Sequence, residues 1–152
     1  MQFKVRTLDA LADMVCGNFP QDTTHFVYRS STFLTRFFQD CDTDYEHDGS
    51  TRGIWVAEVL KKMLAEPAPG AHLVPPAFAA VIRVLMDPED ARNEGPDRPG
   101  ALALLNGQLK REGFEAFYAE GGKCYLRHPV RRAPCPKCLA SLQTPARGRR
   151  IG

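Results

Sequence analysis

Between Pro76 and Pro88, apolar residues fall at Phe78, Val81, Ile82, Leu85 and Met86. That i, i+3, i+4, i+7, i+8 spacing lines one face of an α-helix. Pro76 supplies a first turn with φ already fixed, and Pro88 cannot continue the helix. The segment therefore predicts a helix with one apolar stripe, and other elements must cover that stripe.

The same pattern recurs along the chain. Thr7 offers an N-cap for Leu8, Leu11, Ala12 and Val15, and Gly17 offers a left-handed stop. Ser30 and Ser31 offer caps for Thr32–Cys41, whose stripe is Phe33, Leu34, Phe37, Phe38 and Cys41. Ser50 or Thr51 opens a third helix reaching Ala65, with Trp55, Val56, Val59, Leu60, Met63 and Leu64 on one side. Glu66–Pro76 contains four prolines and a glycine, so it is irregular. A fifth helix runs from Pro99, carries Leu102, Leu105 and Leu109, and closes at Gly113. Phe114–Glu120 and Lys123–His128 then flank Gly121 and Gly122, which tolerate the positive φ of a tight hairpin turn. The predicted fold is mainly α (α+β): five helices and a terminal β-hairpin over residues 1–129, in winged-helix-like order. A flexible basic tail over 130–152 follows.

With 152 residues, the chain has material for one core. No apolar run approaches the roughly 20 residues of a membrane span. Met1–Arg6 is not followed by the apolar region of a secretory signal. These features predict a soluble, cytoplasmic protein with no membrane partner. Charge is unevenly distributed: residues 130–152 hold six Lys/Arg and no acid, whereas residues 1–129 hold 14 Lys/Arg against 18 Asp/Glu. A polyanion would be drawn to the tail or to a local patch and repelled by the body. Five cysteines, an odd number without an export signal, point to reduced thiols.

Chemistry-bearing patterns are few. The stretch from Asp40 to Gly49 holds five acids; in the register beginning at Asp44 it imitates a calcium loop, but Trp55 stands where the bidentate glutamate belongs. Cys135-Pro136-Lys137-Cys138 is half of a zinc motif, and Cys124 and His128 upstream supply the ligand types for the other half. Lys61 and Lys62 on the third helix, with Lys123, Arg127, Arg131 and Arg132 on the hairpin and tail, outline a winged-helix-like nucleic-acid surface. His25, His47, His72 and His128 are isolated, and there is no nucleophile elbow, phosphate-cradling loop or dinucleotide fingerprint. The residues thus predict a protein that is not an enzyme and has no cofactor: two exposed thiols in a basic tail are the favoured reading of Cys135 and Cys138, with zinc as the alternative.

Tyr28–Phe38, Asp44–Arg52 and Trp55-Val56, followed more faintly by Leu85–Pro88 and Leu104–Asn106, resemble a small helical, effector-associated domain at the N-termini of bacterial abortive-infection and other phage-defence proteins. The resemblance implies adaptor or sensor work beside a defence effector or signalling enzyme. It directs attention to Arg29, Arg36, His47, Asp48, Ser50, Thr51 and Arg52, polar residues gathered around one loop. The arginines are expected either to hold the loop's acids or to present a fork to a partner's carboxylate or phosphate. Trp55 and Phe33, Phe37 and Phe38 are expected in the core.

Overall fold

The computed structural model describes residues 1–18, 25–88 and 98–128. They form α1 (Val5–Cys16), α2 (Ser31–Asp40), α3 (Arg52–Leu64), α4 (Pro76–Leu85), α5 (Arg98–Leu109), β1 (Glu115–Tyr118) and β2 (Cys124–Arg127). The strands pair antiparallel, Glu115 opposite Arg127 and Tyr118 opposite Cys124. Gly121 and Gly122 make the turn at φ +95° and +83°. The predicted order of five helices and a hairpin is the observed one. The basic tail, with Arg131, Arg132, Cys135 and Cys138, lies outside the described residues. So does much of the expected loop between α4 and α5.

The apolar stripes meet in one core. Met14 and Val15 of α1, Leu34, Phe37 and Phe38 of α2, Val56, Leu60 and Met63 of α3, Phe78 and Ile82 of α4, and Leu105 and Leu109 of α5 are all buried. At about 25 cal/mol per Å² of apolar surface removed from water, this shared burial is what holds the short helices in place. Phe3 packs the N-terminal segment against α4 and the residue before β1, meeting Phe78 edge-on at 5.4 Å and Phe114 at 6.0 Å.

Three local expectations are corrected. α1 begins at Val5, with Lys4 at its N-cap, and Thr7 is buried inside it. The backbone N–H of Lys4 donates to Glu112 Oε2 at 2.9 Å, so a carboxylate from the turn after α5 satisfies the helix start that Thr7 was expected to cap. Ser30 and Thr51 occupy N-cap positions, but neither side chain makes a capping bond. Phe33 is exposed, and Trp55 is half-buried at the edge of the core, its ring meeting Phe38 on one side and His47 of the loop on the other.

α5 and the hairpin are joined through one side chain. Asn106 Nδ2 donates to the Ala116 carbonyl at 3.0 Å, and its Oδ1 accepts from the Ala116 N–H at 2.6 Å. Tyr118 Oη donates to the Met86 carbonyl at 2.6 Å, tying β1 to the end of α4.

Candidate functional site

The loop residues picked out by resemblance converge where the end of α1, the start of α2 and the start of α3 meet. Gly17 makes that approach close. It adopts φ +84°, and an added Cβ would lie 2.2 Å from the Val27 carbonyl oxygen. The Arg29 N–H then donates to the Cys16 carbonyl at 3.0 Å, joining the two crossing segments.

Arg29 itself is fully buried. Its Nη1 donates to the Val15 carbonyl at 2.9 Å, and its guanidinium lies 4.7 Å over the Phe37 ring. Arg52 completes the arrangement: its Nη1 donates to the Arg29 carbonyl at 2.9 Å and the Cys16 carbonyl at 3.3 Å. These guanidinium bonds therefore end on backbone carbonyls at the close of α1 and before α2, not on the carboxylates of the acidic loop. A fork of donors suits this role, because one planar group can serve several acceptors in a desolvated corner. Arg29 is thereby removed from the set of partner-facing residues.

Arg52 also reaches outward, sitting 4.5 Å over the ring of Tyr28, which is 56% exposed. Arg36 is exposed and lies 5.6 Å from the Phe33 ring. Ile54, two residues after Arg52, is 67% exposed. The surface around the two helix starts therefore carries cation-capped aromatic rings and an aliphatic side chain, in place of a charged cluster.

The loop between α2 and α3 is held from within. Ser31 Oγ and His47 Nδ1 are 2.6 Å apart, and the Gly49 N–H donates to the same nitrogen at 3.3 Å. Because an amide can only donate, Nδ1 is the acceptor; the Ser31 hydroxyl donates to it, and the ring proton lies on Nε2. The His47 N–H donates to Thr35 Oγ1 at 3.0 Å, and the imidazole meets Trp55 edge-on at 4.9 Å. Asp48 Oδ1 accepts from both the N–H and the hydroxyl of Ser50, at 2.9 and 2.5 Å. The Ser50 hydroxyl bond, followed by the Ser50 N–H, holds the Asp48 carboxyl below its ordinary pKa. Thr51 is exposed at the start of α3. Ser31, Thr35 and Tyr28 complete the site and were not singled out as site residues from sequence, since pairs so far apart leave no periodic signal.

The alternative surfaces are less assembled. Lys61, Lys62 and Lys123 are exposed. Lys123 borders a cleft of about 220 Å³ shared with Arg83 and Asp87. Arg127 is engaged within the hairpin, its Nε donating to Glu115 Oε1 at 3.0 Å and its guanidinium 4.2 Å over Phe117. Cys124 is buried in the core, where burial pushes its thiol up to about 11. It also starts β2, and His128 follows the strand's end. Cys135 and Cys138, the other two members of that expected metal set, lie outside the described residues. Among the described residues, no group of three or more His, Cys, Asp or Glu side chains is placed to hold a metal ion, the acidic loop included. None of the helices among them is long and apolar enough to cross a membrane. No protein-family model, curated protein or solved structure matches this chain.

Proposed function

We propose that this chain is a non-enzymatic protein–protein interaction module, an adaptor or regulator in a bacterial anti-phage defence system, whose partner is a defence effector or signalling enzyme. The observation that carries the reading is Tyr28: its ring is more than half exposed, and it is held in place by an arginine that is itself bonded to two backbone carbonyls. Exposed aromatic rings beside arginine are the composition of interface centres, and a fixed surface loses little entropy on binding. Phe33 with Arg36, and Ile54, extend the same surface. The defence setting rests on the resemblance of Tyr28–Phe38 and Asp44–Arg52 to effector-associated domains. The polar groups of the loop support a positioning role, since Ser31, His47, Asp48 and Ser50 bond to one another or to the loop.

The test is affinity capture from the native host with the wild-type chain and a Tyr28→Ala/Ile54→Ser double variant, with identification of the captured protein. An effector or signalling enzyme encoded beside this gene, bound by the wild type and lost by the variant, supports the reading. Tight binding to duplex DNA that falls steeply with salt and disappears on replacing Lys61, Lys62, Arg131 and Arg132 would replace it with the nucleic-acid alternative.

A further inference from the structure

Between the last turn of α4 and the hairpin turn lies a cleft of about 220 Å³. Arg83 and Val84 of α4, then Asp87 and Pro88, form one wall, and the Gly121-Gly122 turn with Lys123 forms the other. Two cations from separate elements therefore border one space. Arg83 is half-buried and Lys123 is exposed. Among the described residues neither forms an ion pair, so no carboxylate of the fold takes up their charge.

Both walls are held. The Gly122 N–H donates to the Ala119 carbonyl at 3.0 Å and the Ala119 N–H to the Lys123 carbonyl at 2.9 Å, which closes the turn. Next to Lys123, Cys124 is buried in the core, while Tyr118 Oη bonds the Met86 carbonyl just before Asp87. The two glycines leave the turn without side chains: a Cβ on Gly121 would meet nothing within 4 Å, and one on Gly122 only Pro88 Cγ at 4.0 Å. An anion can thus approach the turn backbone closely.

The lining narrows the ligand. A guanidinium takes a phosphate through two parallel N–H bonds, and an ammonium adds a point charge on a further oxygen. Two cations attract a dianion more strongly than a single carboxylate. Asp87 brings a carboxylate to the same space, and a carboxylate accepts from hydroxyl groups at several lone pairs. The volume is below the roughly 300–1,000 Å³ of sites for drug-sized ligands, so the occupant is small.

We propose that this cleft binds a small phosphate monoester bearing a hydroxyl group, its phosphate held by Arg83 and Lys123 and its hydroxyl by Asp87. No bond is made or broken; the ligand clasps α4 to the hairpin. The site shares no residue with the surface around Tyr28, so either can fail without the other.

Full-length protein titrated calorimetrically with glycerol 3-phosphate in low-salt buffer is expected to bind one equivalent, and to melt at a higher temperature with the ligand than without it. Arg83→Met and Lys123→Met should each weaken binding about tenfold or more, the loss of a charged hydrogen bond, with unchanged circular dichroism. Asp87→Asn should weaken glycerol 3-phosphate relative to inorganic phosphate, and Lys61→Met, on α3, should change neither. No saturable binding by the wild type, acetate bound as tightly as phosphate, or unchanged affinity in either Arg83→Met or Lys123→Met would each overturn the site. Duplex DNA bound through Lys123, with no response to glycerol 3-phosphate, would overturn it in favour of a nucleic-acid contact. Lys123→Met, at an exposed position, decides the matter even where Arg83→Met fails to fold.

Discussion

The carbonyl of Arg29 accepts a 2.9 Å hydrogen bond from Arg52 Nη1, while the side chain of Arg29 points back to the Val15 carbonyl of α1. The two arginines thus act in series: Arg52 of α3 holds the backbone at Arg29, and the Arg29 side chain holds the end of α1. Arg29→Ala is expected to cost about 3–5 kcal/mol, because it empties a buried space beside Phe37 and strands the Val15 carbonyl. Arg52→Ala, at a half-buried position, should cost about 1–3 kcal/mol. Urea denaturation of the two variants checks the order; equal losses would refute it.

Gly17 is irreplaceable for two separate reasons, its φ of +84° and the Val27 carbonyl at 2.2 Å from any added Cβ. Gly17→Ala should destabilise by at least about 2 kcal/mol, since a backbone atom, unlike a side chain, cannot step aside. By contrast Gly49 also has a positive φ, +86°, but meets nothing within 4 Å, so Gly49→Ala should lose less. Thermal melting of the pair separates strain alone from strain with collision.

Asn106 matches its amide to both backbone groups of Ala116. Asn106→Asp keeps the acceptor but places a carboxylate oxygen against the Ala116 carbonyl. It should lose more than one hydrogen bond's worth, about 2–3 kcal/mol, and Asn106→Ala a similar amount. Hydrogen exchange at the Ala116 amide gives a local reading: protection should fall more in Asn106→Ala, where the acceptor is gone, than in Asn106→Asp.

Burial raises the Cys16 and Cys124 thiols to about 11 and that of Cys41 to about 12, from an ordinary 9.0. A raised thiol favours the protonated form in the fold, so its stabilising contribution is complete below pH 9.0 and is lost as pH rises through about 11 to 12. Stability should therefore decline on the alkaline side. At pH 8, iodoacetamide should spare these three cysteines in the folded protein and modify them in urea. Peptide mapping distinguishes them from Cys135 and Cys138; rapid labelling of Cys41 in the native state would contradict its burial.

The helices were legible where short-range signals act alone. Pro76 and the stripe from Phe78 to Leu85 gave α4 correctly, and Gly121-Gly122 gave the hairpin. Long-range partners explain what was missed. α1 starts two residues before Thr7 because Glu112 receives the Lys4 N–H, a relationship no window of neighbouring residues contains. A helical period also says that Phe33 shares a face with Phe37, but not that neighbours cover only the later turns. The burial of Arg29 is the hardest case, since arginine almost never lies wholly inside a protein unless its donors are met. Those acceptors come from another helix. His47 was placed in the right loop, but its partners Ser31 and Thr35 are visible only once α2 and the loop are side by side.

The guanidinium chain linking the end of α1, the segment before α2 and the start of α3 has a consequence for how the molecule comes apart. The carbonyls of Val15, Cys16 and Arg29 are all met by donors from a different segment, so none of these segments can peel away without stranding the others' backbone groups. Fraying of the first helix alone is thereby suppressed, and the amides at its C-terminal end should exchange only in concert with global opening.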